Sequence, residues 1–356
     1  MKIIHTSDLH LNSKIEKLSK EKAILRREEV TRTFERIVDY ARSNEVRAII
    51  IAGDMFDTTK ISSKLFERVM HLIRSNENID FLYLTGNHEQ DSFLSLITDK
   101  PNNLKLFSNE WKYYVFDNVV IGGISVNESN VKFIYDSLFL DENNFNIITL
   151  HGQIMGYKNA DKSEVISIPL LKDKNIDYLA LGHYHSFAEG VIDNRGKYVY
   201  SGCPEGRGFD ETGSKGFVLI DTESEKKYKF IPFATRELEE VSFDISNEKS
   251  WFDFKEKVLD YLLSNVNSNN LVKVIIKGVH ELEFEMDLIG LNSVLNETFY
   301  FAKIEDQSEV RIDISSFELD KSFRGEFVRG VMNSQLTDNE KRLVILKGLS
   351  ALKGEI

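Results

Sequence analysis

Seven side chains of the kinds that bind metal ions each follow closely on an apolar stretch of this sequence. They are carboxylates, imidazoles and one amide: Asp8, His10, Asp54, Asn87, His151, His183 and His185. Such a mixed set of ligands suits Mn, Fe or Zn. Seven ligands exceed the number that one ion needs beside a bound substrate, and they fit two ions that share one carboxylate. Asp54 is the natural bridge between the two ions.

The residues that follow Asn87 add an acid to the predicted metal site. Paired ions roughly 3.5–4 Å apart stabilise both the attacking and the leaving oxygen of an in-line phosphoryl displacement. His88 is placed to stand beside the ions as the general acid for the leaving oxygen. Glu89 is placed to orient that imidazole from behind, as carboxylates do around metal sites. The set predicts hydrolysis of a phosphoester.

These side chains are predicted to meet at one edge of a sheet. The stretch Ala48–Ala52 is wholly apolar, which is typical of a strand buried on both faces, and Asp54 follows it after Gly53. Open α/β sheets bind ligands at the carboxyl ends of their strands. Four other predicted strands deliver polar residues in the same way: Lys2–Thr6, Phe81–Leu84, Asn146–Leu150 and Tyr178–Leu181.

Helices alternate with these strands in the first part of the chain. The apolar side chains between residues 30 and 41, and those between residues 65 and 73, each lie on one helical face. Strands that alternate with helices predict a layered α/β fold. Beyond residue 186, short strands broken by glycine predict an antiparallel part of the same domain. We therefore predict one domain over residues 1–235 and a smaller α+β cap domain over residues 236–356.

Charge and composition limit the class of protein. The net charge of the 356 residues is −12: residues 1–235 carry 30 Lys and Arg against 34 Asp and Glu, and residues 236–356 carry 15 against 23. Overall charge therefore disfavours nucleic-acid binding, although bound metal would neutralise part of it. No segment approaches the apolar length of a membrane span, and Cys203 is the only cysteine. We expect a cytoplasmic protein without membrane contact.

Five motifs, in this order, resemble those of the calcineurin-like metallophosphoesterases. They are Asp8-Leu9-His10, Gly53-Asp54-Met55-Phe56-Asp57, Gly86-Asn87-His88-Glu89, His151-Gly152 and Gly182-His183-Tyr184-His185. Within that superfamily they are similar to the SbcD and YhaO type of DNA-repair nuclease subunit, which the stretch from Ser201–Gly208 through Lys215-Gly216 also resembles. The resemblance covers about the first 235 residues and implies the layered metallophosphoesterase fold.

The resemblance also implies how the ligands are shared between the ions. One metal would be held by Asp8, His10, Asp54 and His185. The other would be held by Asp54, Asn87, His151 and His183. His88 would be catalytic rather than a ligand, and the two divalent ions would be Mn, with Fe, Zn or Mg as alternatives.

The activity that the resemblance implies is Mn-dependent phosphodiester hydrolysis. The substrate would be DNA, cut by a 3′-to-5′ exonuclease with single-strand endonuclease activity in DNA repair. SbcD-type subunits work with an SMC-like ATPase held through their C-terminal helices, so the expected partners are DNA, such an ATPase subunit and a second copy of the chain. The alternative is a metallophosphoesterase that acts on small phosphodiesters or phosphoproteins. Glu89 stands where the nuclease branch usually has Asp, and a Glu at this position is typical of the serine/threonine protein phosphatases. Those enzymes, however, have Arg-Gly where this chain has Thr58-Thr59.

Several other polar residues have a plainer interpretation. His5 lies within a strand and is expected to be a hydrogen-bonded structural histidine, and His71 is expected on the exposed side of a helix. Asp57 could support a metal ligand or cap the following turn. Arg207, in a glycine-rich loop, is a candidate to contact phosphate. The basic residues between positions 14 and 27 are interleaved with acidic ones, which favours a solvated helical face.

Overall fold

The computed structural model describes residues 1–15, 18–57, 61–86, 92–127, 129–154 and 165–353. The chain divides into two units, Met1–Leu238 and Glu239–Ile356. The sequence predicts a change of domain slightly earlier, after residue 235. The division coincides with the strand that begins at Leu238.

The first unit alternates strands and helices before it becomes mainly β. Its strands are β1 (Lys2–Thr6), β2 (Val46–Ala52), β3 (Asp80–Leu84), β4 (Leu104–Leu106), β5 (Lys112–Phe116), β6 (Val119–Gly123), β7 (Phe145–His151), β8 (Gln153–Ile154), β9 (Val165–Ile166), β10 (Tyr178–Gly182), β11 (Ala188–Val191), β12 (Lys197–Tyr200), β13 (Gly216–Asp221) and β14 (Tyr228–Pro232). Its helices are α1 (Lys20–Ser43), α2 (Ser63–Arg74), α3 (Ser92–Leu96) and α4 (Ile168–Leu171).

Two six-stranded sheets form the centre of the first unit. In the described residues their strand orders are β14-β13-β1-β2-β3-β4 and β11-β12-β10-β7-β6-β5. Strands β1 to β4 run parallel to one another, as do β12, β10, β7 and β6. Antiparallel strands complete the edges: β13 and β14 in the first sheet, β11 and β5 in the second. The carboxyl ends of the parallel strands therefore lie at one edge of each sheet.

Strand β2 shows how an apolar run builds the layers. Ile49 and Ile51 belong to a core with apolar residues of α1 and α2, whereas Ala48 and Ile50 belong to a core with residues of the second sheet. Successive residues of a strand face opposite sides, so β2 is buried on both faces, as the sequence predicts. A third core joins β7 and β10 to α4. These layers of helices and sheets confirm the predicted α/β metallophosphoesterase-like fold class.

Helix α1 buries its predicted apolar face and also an arginine. The side chain of Arg26 is only 1% exposed. Its guanidinium donates to Glu205 Oε2 at 2.5 Å and to the carbonyl oxygen of Gly206 at 2.8 Å. The prediction of a solvated helical face is therefore wrong at Arg26, because a carboxylate far along the chain returns to neutralise it.

Two histidines outside the predicted metal site lie as the sequence predicts. His5 is buried in β1, and its Nδ1 is 2.9 Å from the hydroxyl oxygen of Tyr178. His71 is exposed on α2. Both predictions, a structural histidine and a surface histidine, are confirmed.

The second unit has its own sheets and helices. Its strands are β15 (Leu238–Asp244), β16 (Leu271–Lys277), β17 (Val279–Glu281), β18 (Phe301–Asp306) and β19 (Glu309–Arg311). Its helices are α5 (Trp251–Asn265), α6 (Leu288–Thr298), α7 (Phe323–Met332) and α8 (Asp338–Lys353), with a short 3-10 helix at Ile314–Phe317. Helices α5 and α6 share a core with the three-stranded sheet β15-β16-β18, and α7 packs with α8 in a smaller core. The second unit thus contains both helices and strands, and its pairs β16-β18 and β17-β19 are parallel.

In the described part of the chain, every helix is too short or too polar to cross a lipid bilayer.

Candidate metal centre

Four of the predicted ligands lie at the carboxyl ends of neighbouring parallel strands. Asp8 follows β1 and Asp54 follows β2, which are adjacent in the first sheet. His151 is the last residue of β7 and His183 follows β10, which are adjacent in the second sheet. Strand β2 contacts both β7 and β10. The packing of the two sheets therefore brings these four strand ends together, as the sequence predicts for one edge.

Five predicted ligands form two clusters that share one residue. The first cluster consists of Asp8, His10 and His185, and the second cluster consists of Asp8, Asp54 and His151. Within each cluster, one potential ligand atom from each residue lies within 4.8 Å of the others. All of these residues are buried except His185, which is half-buried. The sharing of Asp8 could not be read from the motifs.

Asp54 lies between histidines of the two clusters. Its Oδ2 atom is 3.8 Å from Nε2 of His10 and 3.5 Å from Nε2 of His151. A carboxylate that bridges two ions needs a ligand of each ion close to it on either side. The location of Asp54 is compatible with the bridging role that the sequence predicts.

His183 adjoins the second cluster through its ring and fixes Asp8 through its backbone. Its imidazole meets that of His151 edge-to-face, with ring centroids 5.4 Å apart. Its backbone N–H donates to Oδ1 and Oδ2 of Asp8 at 3.0 and 3.1 Å. Three further predicted residues, the ligand Asn87, the acid His88 and its partner Glu89, lie outside the described residues.

Carboxylates behind the first cluster determine where its histidines carry their protons. His10 Nδ1 is 3.0 Å from Asp57 Oδ1, and His185 Nδ1 is 2.7 Å from Glu211 Oε1; we call Asp57 and Glu211 the rear carboxylates. An ionised carboxylate only accepts hydrogen bonds, so these two contacts favour the tautomer with the ring proton on Nδ1. In that tautomer both Nε2 atoms present lone pairs, yet they lie only 3.2 Å apart. Two lone pairs at this distance repel each other unless a cation or a proton lies between them.

His151 repeats this arrangement in the second cluster. Its Nδ1 lies 2.8 Å from the carbonyl oxygen of Ala52, which can only accept, so Nδ1 carries the proton. Its Nε2 is buried, has no hydrogen-bond partner among the described residues and faces the Asp54 carboxylate. A buried lone pair that faces a carboxylate also needs a cation or a proton to stabilise it.

The pKa shifts of the site follow from these contacts. Burial opposes the charged form of His151, but the nearby Asp54 carboxylate outweighs burial and raises the pKa to about 9. Burial likewise opposes protonation of His185, and Glu211 and Asp8 raise its pKa above the ordinary value. Burial would raise the pKa of Glu211, but hydrogen bonds from His185 and Arg207 hold it well below its usual range. The same carboxylates that favour a proton on each imidazole would favour a metal ion, so metal and protons compete here.

The backbone is in the left-handed region at four predicted ligands. The φ angles are +52° at Asp8, +44° at His10, +51° at Asp54 and +96° at His183. Residues with side chains rarely adopt this region, and each instance costs of the order of 1–3 kcal/mol. Strained backbone often occurs at functional sites, so these φ angles agree with a functional role for this sheet edge.

Two glycines provide room for the ligands because they lack a Cβ atom. A Cβ atom on Gly53 would lie 2.0 Å from His151 Nδ1, and a Cβ on Gly182 would lie 1.9 Å from the carbonyl oxygen of Ala52. Gly53 also has a φ of +94°, which favours glycine. The Gly-Asp and Gly-His parts of the motifs are therefore packing requirements of the site.

Sequence reasoning missed one residue of the site and the ion pairs of another. Glu211 is named in no prediction, and its only signal is that it lies within the stretch, from Ser201 through Gly216, that resembles the nuclease branch. Arg207 is a candidate for phosphate binding by sequence, but its Nε and Nη2 donate to Glu211 at 3.1 and 2.6 Å, and its Nη1 donates to Asp57 at 3.2 Å. For Asp57, the contact with His10 agrees with support of a metal ligand, one of the two roles that the sequence left open.

Two of the solved structures to which this chain is similar are matched at low sequence identity. The protein TT1561 of Thermus thermophilus is 11% identical, with a TM-score of 0.41 over 62% of this chain and 93% of that chain. A dimetal phosphatase from Danio rerio is 11% identical, with a TM-score of 0.43 over 62% of this chain and 91% of that chain.

Comparison with protein families identifies the class of this protein. Residues 1–187 match the family described as calcineurin-like phosphoesterase. The match covers more than half of the chain and includes all seven predicted ligands, so the chain belongs to this family. It is therefore a metal-dependent hydrolase of phosphoesters, in a family that uses two divalent metal ions.

The residues of the site fit two divalent ions. Three imidazole lone pairs, from His10, His185 and His151, converge on the carboxylates of Asp8 and Asp54. A cation in each cluster would relieve the repulsion between the facing Nε2 atoms and satisfy the buried Nε2 of His151. Carboxylate and imidazole donors together suit Mn, Fe or Zn.

Proposed function

We propose that this chain is a Mn-dependent, two-metal phosphodiesterase that hydrolyses DNA, as a 3′-to-5′ exonuclease with single-strand endonuclease activity in DNA repair. The observation that supports the chemistry is the close approach of Nε2 of His10 to Nε2 of His185, 3.2 Å apart, with a carboxylate oxygen beside each Nδ1. Such an arrangement is a preformed ligand pair for a divalent ion. The resemblance of the motifs to the SbcD and YhaO type is the basis for proposing DNA as the substrate.

Each side chain has a defined task in this mechanism. The first cluster and Asp54 would hold one ion, while Asp54, His151, His183 and Asn87 would hold the other. When bound, the two ions stabilise the attacking and leaving oxygens of an in-line displacement at phosphorus. The rear carboxylates keep Nδ1 of His10 and His185 protonated, so that both Nε2 atoms stay available as ligands. His88 would deliver a proton to the leaving oxygen.

DNA as the substrate is supported by the stretch Ser201–Gly208, which resembles the YhaO type. This stretch contacts the metal centre, since Ser201 Oγ lies 2.9 Å from Ser7 Oγ, which in turn donates to Asp8 Oδ2 at 2.5 Å. A segment that is typical of the nuclease branch thus supports a predicted ligand. This contact favours a nuclease-like centre over a centre that shares only the common family motifs.

Digestion of end-labelled DNA tests this proposal. The purified chain would be incubated with duplex and single-stranded DNA in the presence of Mn²⁺, Mg²⁺ or a chelator. We expect Mn²⁺-dependent shortening from the 3′ end, loss of activity in His88→Ala, and unchanged activity in His71→Ala, whose side chain is exposed on α2. Intact activity in His88→Ala would contradict the assigned mechanism, and shortening from the 5′ end would contradict the assigned polarity.

A second candidate function is hydrolysis of small phosphodiesters or phosphoproteins. The observation that favours it is the net charge of −12, which opposes the approach of a polyanion. Turnover of bis(p-nitrophenyl) phosphate and p-nitrophenyl phosphate would be compared with cleavage of DNA under the same Mn²⁺ conditions. Turnover of the small diester without cleavage of any DNA would favour this second candidate.

An SMC-like ATPase subunit is the proposed partner. Apolar side chains are exposed on the C-terminal helices, among them Phe323 on α7 and Leu343 and Leu352 on α8. Exposed apolar residues on neighbouring helices support a protein contact. Co-purification with an SMC-like ATPase, reduced in Leu343→Asp, would support this partner, and equal recovery with both chains would argue against α8 as the contact.

A further inference from the structure

Arg207 joins the two rear carboxylates. Its Nη1 donates to Asp57 Oδ1 at 3.2 Å, and its Nη2 donates to Glu211 Oε1 at 2.6 Å. Those same oxygen atoms contact the histidines of the first cluster: Asp57 Oδ1 is 3.0 Å from His10 Nδ1, and Glu211 Oε1 is 2.7 Å from His185 Nδ1. One guanidinium therefore holds the supports of both histidines.

The surroundings of Arg207 make this connection rigid. The side chain of Glu211 is only 5% exposed and that of Arg207 is 19% exposed, so their ion pair is largely removed from water. The backbone N–H of Arg207 also donates to Glu211 Oε2 at 2.7 Å. A planar guanidinium that bridges two carboxylates fixes both distance and direction, which a lysine ammonium does not.

We propose that Arg207 is a positioning residue that sets the affinity of the first cluster for its divalent ion. By holding both rear carboxylates, Arg207 orients the imidazoles of His10 and His185 together. Loss of Arg207 leaves Glu211 as a buried carboxylate without its main cation, so that Glu211 moves toward water and releases His185. Groups behind metal ligands typically change metal affinity or activity about 10–100-fold when they are removed.

The proposal adds a residue that lies beyond the stretch matched by the family, residues 1–187. It rests on the two-metal phosphoesterase chemistry and is independent of the DNA substrate. The competing role for Arg207 is direct contact with a substrate phosphate. The two roles differ in what they change, because a positioning residue alters metal binding in the absence of substrate, whereas a phosphate contact alters KM at saturating metal.

The test measures equilibrium Mn²⁺ binding to the full chain by the electron paramagnetic resonance signal of free Mn²⁺, without substrate. Three variants are compared with the parent chain: Arg207→Met, Arg207→Lys and, as a matched control, Arg195→Met. Arg195 also forms an ion pair, with Asp177 at 2.8 Å, but this pair lies at the amino end of β10, away from the predicted ligands. Thermal unfolding followed by circular dichroism identifies any variant that fails to fold.

We expect Arg207→Met to lower the Mn²⁺ affinity of one of the two sites about 10–100-fold, and Arg207→Lys to lower it less. Arg195→Met should leave the affinity of both sites within about twofold of that of the parent chain. At saturating Mn²⁺, KM for bis(p-nitrophenyl) phosphate should stay unchanged in Arg207→Met. In an Asp57→Asn background the effect of Arg207→Met should shrink, because the two residues act through the same contact. If Arg207→Met does not fold, the Mn²⁺ affinity of Arg207→Lys alone tests the proposal.

Unchanged Mn²⁺ affinity in the folded Arg207 variants would overturn the proposal. If KM rose at the same time, Arg207 would be a phosphate contact. Failure of the chain to cleave DNA would not affect the comparison of Mn²⁺ affinities, because the binding measurement contains no substrate. If the parent chain bound no Mn²⁺, the two-metal function itself would be contradicted. Failure of the Arg207 proposal is thereby distinguished from failure of the proposed function.

Discussion

At the scale of single residues, the loops after β1 and β2 hold each other in place. The backbone N–H of Asp8 donates to the carbonyl of Gly53 at 3.1 Å, and that of His10 donates to the carbonyl of Asp54 at 2.9 Å. These bonds connect residues whose φ angles are positive. The strained backbone of one loop is therefore stabilised by the other, so a change in one loop is expected to alter both.

Gly53→Ala should be far more damaging than Gly213→Ala. Both glycines have a positive φ, +94° and +83°, so alanine strains the backbone at each, at a cost of about 1 kcal/mol. Only at Gly53 would the new Cβ clash, 2.0 Å from His151 Nδ1, since no atom of the described residues lies within 4 Å of the Cβ built on Gly213. Urea unfolding and Mn²⁺ binding of both variants check this. Equal losses of stability, with Mn²⁺ affinity retained in Gly53→Ala, would contradict the packing role of this glycine.

His5 is expected to make stability depend on pH. Burial lowers the pKa of His5 from 6.5 to about 3, against the opposing contact with the Leu181 backbone. Between these values the unfolded chain binds a proton that the folded chain does not, so the free energy of unfolding falls as the pH falls through this range. The loss is up to about 1.4 kcal/mol per pH unit.

Urea unfolding of the parent chain and of His5→Gln between about pH 7 and pH 4.5, within the range where His5 titrates in the unfolded chain, measures this contribution. The stability of His5→Gln should fall less steeply with decreasing pH, whereas His71→Gln, changed at an exposed position, should follow the parent. Parallel curves for the parent chain and His5→Gln would show that His5 is not a buried neutral imidazole.

At the scale of elements, a buried ion pair fastens α1 to the loop that carries Arg207. Arg26 donates to Glu205 at 2.5 Å, and Glu205 also accepts from Thr33 Oγ1 at 2.7 Å and from the backbone N–H of Thr235. The helix, the loop and the chain after β14 thus meet at one carboxylate. The loop that supports the first cluster is therefore fixed at its start by α1.

Arg26→Met should destabilise the chain by about 3–5 kcal/mol, because it leaves Glu205 charged and buried without its cation. The double variant Arg26→Met/Glu205→Gln should lose less than the sum of the two single variants, since each loss removes the same interaction. Arg42→Met breaks an exposed pair with Asp39 and should change stability by about 1 kcal/mol or less. Additive losses at Arg26 and Glu205, measured by urea unfolding, would show that the pair contributes little.

The elements that bear the ligands could be predicted because local sequence determines them. The apolar run Ala48–Ala52 is followed by Gly53 and Asp54, and this pattern alone indicates a buried strand with a carboxylate just after its end. The same reasoning located His151 and His183. Parallel strands in one layered fold then bring such ends to one edge, so local pattern and topology together predict the ligands.

The supports of the ligands could not be predicted because they depend on contacts between distant parts of the chain. Arg207 reaches Asp57 across 150 positions, and Glu205 reaches Arg26 across 179. No spacing rule connects such residues, and interleaved charges near Arg26 favoured an exposed surface. Whether a charged side chain is solvated or paired is determined only when the sheets and α1 have packed.

At the scale of the whole molecule, charge and metal binding are connected. The chain carries a net charge of −12, and the metal centre draws buried carboxylates and histidines from both six-stranded sheets of the first unit. Two divalent cations would offset part of this excess at the edge where an anionic phosphoester must bind. Assembly of the first unit, rather than any single element, therefore creates the site.

Anomalous diffraction at the Mn absorption edge, from crystals of the full chain grown with Mn²⁺, would locate the two metal ions. We predict two peaks per chain, roughly 3.5–4 Å apart, one at the first cluster and one at the second cluster, with Asp54 between them. A single peak, or two peaks away from these residues, would contradict the assignment of a two-metal centre to this sheet edge.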